Sequence, residues 1–273
     1  MLTTARELAR SCHPGPTVAV TVLAALLALA FSAPGAVLAT VVVAVSSGQL
    51  IIGWSNDLLD ADRDRADARV DKPLADDRVG RRAVMTALAV AAVVCVVTSS
   101  ALGWLPGTIH LVLLVGSGLA YNLGVKATRW SFVPYALAFG SLPAIVWLAA
   151  GPADAQGAPP AWMVLVGALL GVGAHLLNVL PDLADDERHG IRGLPHRLGR
   201  RGTQALAPLL LAVGTVVVVL ASGDIDGSRS VVVLVSAGGL ALVASRGSGK
   251  TPFRAAVALA LLTAATLVVN SWS

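Results

Sequence analysis

The sequence predicts an all-α, polytopic membrane protein. Three observations carry that fold class. Of 273 residues, 56% are hydrophobic and 13% charged, about half the charge of an ordinary soluble domain, and mean hydropathy is +0.76. Ala, Val and Leu come in long blocks, and a spanning helix needs ~20 mostly apolar residues. The blocks also lack the apolar–polar alternation over ~10 residues that marks membrane β-strands.

Apolar blocks between polar or Gly/Pro breaks mark nine spans, at 16–33, 36–54, 82–102, 107–123, 131–150, 160–180, 204–222, 230–245 and 253–270. The first follows Arg6 and Arg10 and ends at "SAPGA", as a secretion signal does. The second span follows at once and His13-Pro14 shapes a helix start, so the segment is read as retained. Cys12 and Cys95 are far apart, without metal or redox spacing, and are read as small filler residues.

Charge sets the orientation. Arg6 and Arg10 lie on one side. Joining them are Arg63, Arg65, Arg69, Lys72, Arg78, Arg81 and Arg82 after span two, Lys126 and Arg129 after span four, Arg188, Arg192, Arg197, Arg200 and Arg201 after span six, and Arg246, Lys250 and Arg254 after span eight. Only Arg229 falls opposite, and the other connectors ("APG", "GWLPGT", "GPADAQGAPP") are short or rich in small residues. The positive-inside rule makes the basic side cytoplasmic. The N-terminus and the two long hydrophilic loops, after spans two and six, are therefore expected in the cytoplasm, and a bacterial cytoplasmic membrane is the expected location. The same rule accounts for the net charge of +4. Nucleic acid is not an expected partner, because the basic loops carry too few aromatics to stack bases.

Those two loops hold paired acid clusters. In "GWSNDLLDADRDRADARVDKPL", Asn56, Asp60 and Asp64 are spaced four and four; in "HLLNVLPDLADDERHGIRGLPHRLGR", Asn178, Asp182 and Asp186 are spaced alike. Each set closes a hydrophobic span and enters a basic loop, as in an internal repeat. On a helix this spacing projects one amide and two carboxylates along one stripe. Four carboxylates that close need protonation or a counterion. Magnesium suits them, since it takes one or two carboxylates plus substrate phosphates. Asp57 and Asp185 sit about a quarter-turn off the stripe. Arg69, Lys72, Arg78 and Lys126 would offset charge on a phosphorylated group. The plainer alternative, acids and arginines neutralising each other in a solvated loop, leaves the matched spacing unexplained.

These residues resemble the UbiA superfamily of intramembrane prenyltransferases. "NDLLDADRD" fits the family's NDxxDxxxD pattern and "DLADD" its DxxxD pattern. "DKPL" resembles its basic-Pro element, "YNLGVK" its helix-four segment, and "DLADDERHGIRGLPHRLG" its second loop. The resemblance covers the whole chain and implies one membrane domain over 1–273, with nine helices around a central cavity capped by two cytoplasmic loops. It implies ionisation of an isoprenyl diphosphate by two or more Mg²⁺ ions, and transfer of the prenyl group to an aromatic or other small lipophilic acceptor. Asn56, Asp60, Asp64, Asn178, Asp182 and Asp186 match the magnesium–diphosphate residues, with Asp57 and Asp185 beside them in the metal cluster. Arg69, Lys72, Tyr121 and Lys126 match diphosphate contacts. The chain departs from the pattern where Gly193 replaces a frequent Thr, where His13-Pro14 replaces Arg-Pro, and in a slightly short gap between Asp64 and Lys72.

Two other readings bear on the same residues. A terpene cyclase of this family would turn the cation on its own tail, which the 4% aromatic content disfavours. An ion-coupled transporter would place acids near the membrane midplane, whereas these lie at the cytoplasmic ends. Most tryptophans are read as interfacial anchors, and His175, one turn before Asn178, as either a ligand contact or an interhelical hydrogen-bonding group.

Overall fold

The computed structural model describes residues 2–151, 157–221, 227–249 and 251–271, and every regular element among them is a helix. Part of the connector "GPADAQGAPP", and Lys250, lie outside the described residues. Among the described residues six helices are long and apolar enough to cross a membrane, or seven if a bent pair near the N-terminus counts as one; two shorter apolar helices follow near the C-terminus.

The N-terminal pair is helix α1 (Leu2–Ser11) and helix α2 (Pro14–Ala30). They meet at 72° across His13, which adopts φ 55°. Pro14 begins α2 because a first-turn residue needs no N–H. Sequence periodicity starts this span at residue 16 and gives no separate α1. Helix α3 (Gly35–Ala66) has 32 residues, roughly 48 Å at 1.5 Å each, against ~30 Å of hydrocarbon. Its last turns therefore leave the membrane as rigid helix and carry the first acid motif.

Helix α4 (Arg81–Ala101) returns, followed by a span of three pieces: α5 (Trp104–Ile109), a π-helical stretch (His110–Gly116) and α6 (Ser117–Asn122). Then come α7 (Val133–Ala150) and α8 (Ala161–Val179). The second acid motif differs from the first. Pro181 follows α8 and cannot donate a helical hydrogen bond, so the chain breaks and restarts as the short α9 (Leu183–Arg188) with Asp182 at its N-cap. Asn178, Asp182 and Asp186 thus do not share one continuous helical stripe. Helix α10 (Leu194–Ala221) begins ten residues before the expected span at 204 and kinks at Gly199. Helices α11 (Gly227–Arg246) and α12 (Thr251–Ser271) complete the chain.

The burial pattern fits lipid as solvent. Val90, Val93, Val96 and Val97 of α4 and Val231, Val232 and Val235 of α11 face outward. Hydrocarbon gives no hydrophobic drive between helices, so close packing and polar contacts hold them. Gly171 of α8 lies where a Cβ would strike the Tyr135 carbonyl oxygen of α7. Ser99 bonds His110 Nδ1 at 2.8 Å between α4 and the π-helical stretch. One core gathers Val41, Val45, Leu114, Leu142 and Ile145; another gathers Leu170, Leu176, Leu177, Leu211 and Leu259. Helix α12 packs against both α2 and α8, so helices from the two ends of the sequence are neighbours. A narrow apolar cavity lies among α2, α7, α8 and α12, lined by Leu23, Leu27, Phe139, Trp162 and Met163 among others.

Candidate active site

The first acid motif is buried rather than solvated. Asp57, Asp60 and Asp64 are only 2%, 8% and 3% exposed, a cost charged groups bear only when paired. Lys126 Nζ donates to both Asp60 oxygens, at 2.9 and 2.8 Å. Arg63 Nη2 lies 3.1 Å from Asp60 and 3.7 Å from Asp64. Lys72 Nζ donates to Asp57 Oδ1 at 2.7 Å, and His13 Nε2 lies 3.1 Å from the same oxygen. Asn56 Nδ2 reaches His13 at 3.4 Å. The second Asp57 oxygen has no hydrogen-bond partner.

The second motif is the opposite case. Asp182 is exposed, and its carboxylate pairs with no cation among the described residues. Asp186 is half-buried, with His196 Nε2 3.7 Å away. Burial, and after it the charges of Asp182 and Asp60, push the Asp186 carboxyl up to about 6 against the opposing charges of Arg63 and Lys126. A group on α9 therefore feels the charges of the α3 motif and of its lysine, so the two clusters share one electrostatic space. His189 Nε2 also meets Asp67 Oδ2 at 3.2 Å and ties the two loops together. Asp185 is turned to Arg188, with which it pairs. Asn178 Nδ2 lies 3.4 Å from the Tyr135 hydroxyl.

Arg69 grips Asp71 with two hydrogen bonds of 2.9 Å. These hold the Asp71 carboxyl down at about 2 and, with the charges of Asp182 and Asp64, raise the Arg69 guanidinium further. Beneath the acids lies an aromatic layer. Tyr121 meets Tyr135 edge-on at 5.3 Å between centroids and His175 at 5.6 Å; Tyr135 stacks on Phe139 at 6.3 Å. Phe139 also lines the apolar cavity. His175 Nε2 pairs with Ser131 Oγ at 3.0 Å, which ties α8 to the turn before α7. Sequence reading did not single out Arg63, Ser131 or the His13–Asp57 contact. Arg63 had a signal, three residues after Asp60; the other two join residues 44 apart and had none.

Gly193 now has a reason. A Cβ there would sit 2.7 Å from the Lys126 carbonyl oxygen and 2.8 Å from Ser131 Oγ. Gly193→Thr should displace the Lys126 loop and destabilise by about 1–3 kcal/mol, the range for overpacking. A thermal melt and the affinity for a prenyl diphosphate would register both effects.

No three His, Cys, Asp or Glu side chains among the described residues form a ready metal cage. Magnesium does not require one, since one or two carboxylates plus substrate phosphates suffice. Asp182, whose carboxylate forms no ion pair among the described residues, and Asp186, whose proton affinity is raised by burial and then by Asp182, are hard oxygen donors of that kind, so the residues present fit the ion.

Known proteins resemble this chain in sequence and in fold. The UbiA prenyltransferase family matches residues 17–265. The 33 kDa chain of bacteriochlorophyll synthase from Cereibacter sphaeroides is 30% identical over 190 residues, covering 64% of this chain and 60% of that one. The apo structure of a UbiA homolog from Aeropyrum pernix K1 superposes with a TM-score of 0.76 at 19% identity, over 93% of this chain and 98% of that one. A UbiA homolog from Archaeoglobus fulgidus, bound to GPP and Mg²⁺, superposes at 0.65 and 14% identity, over 96% and 99%. The match over residues 17–265, on a helical fold of the same kind, places this protein in the UbiA prenyltransferase family.

Proposed function

We propose that the protein ionises an isoprenyl diphosphate with Mg²⁺ and transfers the prenyl group to an aromatic or other small lipophilic acceptor. In this reading the six long helices, the bent N-terminal pair and the two shorter helices make nine spans in one domain. The loops after α3 and α8 cap them on the cytoplasmic side of a bacterial membrane. Asp60, Asp64, Asp182 and Asp186, with Asn56 and Asn178, would hold two or more ions. Bound magnesium would supply Lewis-acid neutralisation of the diphosphate.

The chain's own residues do the rest. Lys126, now on Asp60, is placed to shift to a diphosphate oxygen as the carboxylate takes up other charge. Arg69 and Tyr121 flank the same head group, and Lys72 steadies the buried Asp57. The isoprenoid tail passes Tyr121, Tyr135 and Phe139 into the apolar cavity. Beside the head group the rings of Tyr121 and Tyr135 stabilise developing positive charge, and an apolar surrounding keeps water from it until the acceptor attacks. The observation that carries this reading is that two acid segments far apart in sequence meet: His189 Nε2 lies 3.2 Å from Asp67 Oδ2, and Asp186 lies within reach of the charges of Asp60, Arg63 and Lys126. The relatives' names point the same way, one a bacteriochlorophyll synthase and one a UbiA homolog bound to GPP and Mg²⁺.

The test is incubation of purified protein with prenyl diphosphates of several lengths and candidate acceptors, followed by mass spectrometry. EDTA should stop diphosphate release and Mg²⁺ restore it. Prenylated acceptor supports the reading. A cyclised hydrocarbon formed without acceptor would replace it with a cyclase, and ion flux without diphosphate release would replace it with a transporter.

A further inference from the structure

A single buried hydroxyl joins the segments that carry the head-group residues. Ser131 is fully buried, in the turn that leads from Lys126 into α7. Its Oγ accepts the Leu194 backbone N–H at 2.8 Å and lies 3.0 Å from His175 Nε2. A backbone amide can only donate, and the hydroxyl proton has no other acceptor among the described residues. The arrangement that satisfies every group has Ser131 donating to His175 Nε2, which leaves the imidazole proton on Nδ1. His175 Nδ1 has no hydrogen-bond partner, so Ser131 is the polar tie that orients the ring. That ring lies 4.8 Å from Tyr135 and 5.6 Å from Tyr121, centroid to centroid.

The turn is wound from Ser131 back towards Lys126. Ser131 N–H donates to the Thr128 carbonyl at 3.1 Å, and Thr128 N–H to the Val125 carbonyl at 3.0 Å. Gly193 presses on both ends of this turn: a Cβ there would lie 2.7 Å from the Lys126 carbonyl oxygen and 2.8 Å from Ser131 Oγ. Leu194, the next residue, closes the loop that bears Asp182 and Asp186, and His175 lies on the helix that carries Asn178. We propose that Ser131 is a positioning residue, whose hydroxyl fixes Lys126 against the acids of both motifs. The proposal rests on the prenyl-transfer reading, in which Lys126 meets a diphosphate oxygen. Without the hydroxyl, the Leu194 N–H and His175 Nε2 lose their shared partner, and the Lys126 turn is no longer tied to the second acid loop.

Binding of inorganic diphosphate in excess Mg²⁺, measured by calorimetry on the full-length protein in detergent, tests this without turnover. A double-mutant cycle pairs Ser131→Ala with Lys126→Met. The background variant does not strand Asp60, which keeps Arg63 at 3.1 Å. Ser131→Ala should weaken binding about tenfold where Lys126 is present and less than about twofold where it is absent, the non-additivity of residues that act as one unit. A serine that merely holds the fold weakens binding by the same factor in both backgrounds, and that result overturns the proposal. So does unchanged binding in both, or a wild type that binds no diphosphate. Should the alanine variant fail to fold, Ser131→Cys carries the same cycle, because a thiol fills the space and hydrogen-bonds only weakly. Prenyl transfer is read separately, by mass spectrometry of wild-type products. An additive cycle in a protein that makes prenylated product therefore removes Ser131 alone, whereas absence of product removes the prenyl-transfer reading.

Discussion

Asp182→Ala should reduce prenyl transfer at least about 10³-fold, the upper range for losing one electrostatic stabiliser of a transition state, while the protein still inserts and folds. The expectation of intact folding comes from the site itself. Asp182 is exposed, makes no side-chain cap hydrogen bond at the start of α9, and pairs with no cation among the described residues. Its removal leaves no partner stranded. Asp60→Ala should abolish turnover too, but it strips Lys126 of both hydrogen bonds and so mixes stability with catalysis. Diphosphate release in excess Mg²⁺, beside a thermal melt, separates the two effects. Asp182→Ala retaining turnover within tenfold of wild type would remove α9 from the reaction.

How much of this the sequence carried depended on the range of the interaction. Helix positions follow local hydropathy, and boundaries agree within a few residues wherever a polar break is sharp, as at 131–150 against Val133–Ala150. They part where apolar content does not mark the end. α3 continues twelve residues beyond 54 because its motif is helix-forming although charged, and α10 starts early because its basic first turns are helical although not apolar. The acid residues were legible because repetition of Asn-x₃-Asp-x₃-Asp is itself a signal. Their environments were not. Equal spacing suggested equal helices, yet Pro181 breaks the second, and one set is buried and paired while the other is open. Which cation meets which acid is fixed by contacts such as Lys126–Asp60, 66 residues apart, that no local pattern encodes. The aromatic layer was also hidden, because a low overall aromatic content says nothing of where Tyr121, Tyr135 and Phe139 collect.

Lys72→Met should cost about 3 kcal/mol of stability, the lower end of the range for breaking a buried ion pair by removing one partner. Asp57 is 1% exposed at its side chain and Lys72 15%, so little water is available to take over from the ammonium. His13 remains 3.1 Å from Asp57 Oδ1 and softens the loss, while the other oxygen already lacks a partner. The informative comparison is Lys72→Met with Asp57→Leu. Replacing both members of a buried pair by apolar groups is often neutral, so the double variant should recover most of the melting temperature lost by the single one. Activity discriminates what stability cannot. If Lys72 serves only to hold Asp57, the double variant regains turnover along with its fold. If Lys72 also contacts the diphosphate, the double variant is stable yet binds prenyl diphosphate weakly. A double variant no more stable than Lys72→Met alone would show that Asp57 is stabilised by something other than this lysine.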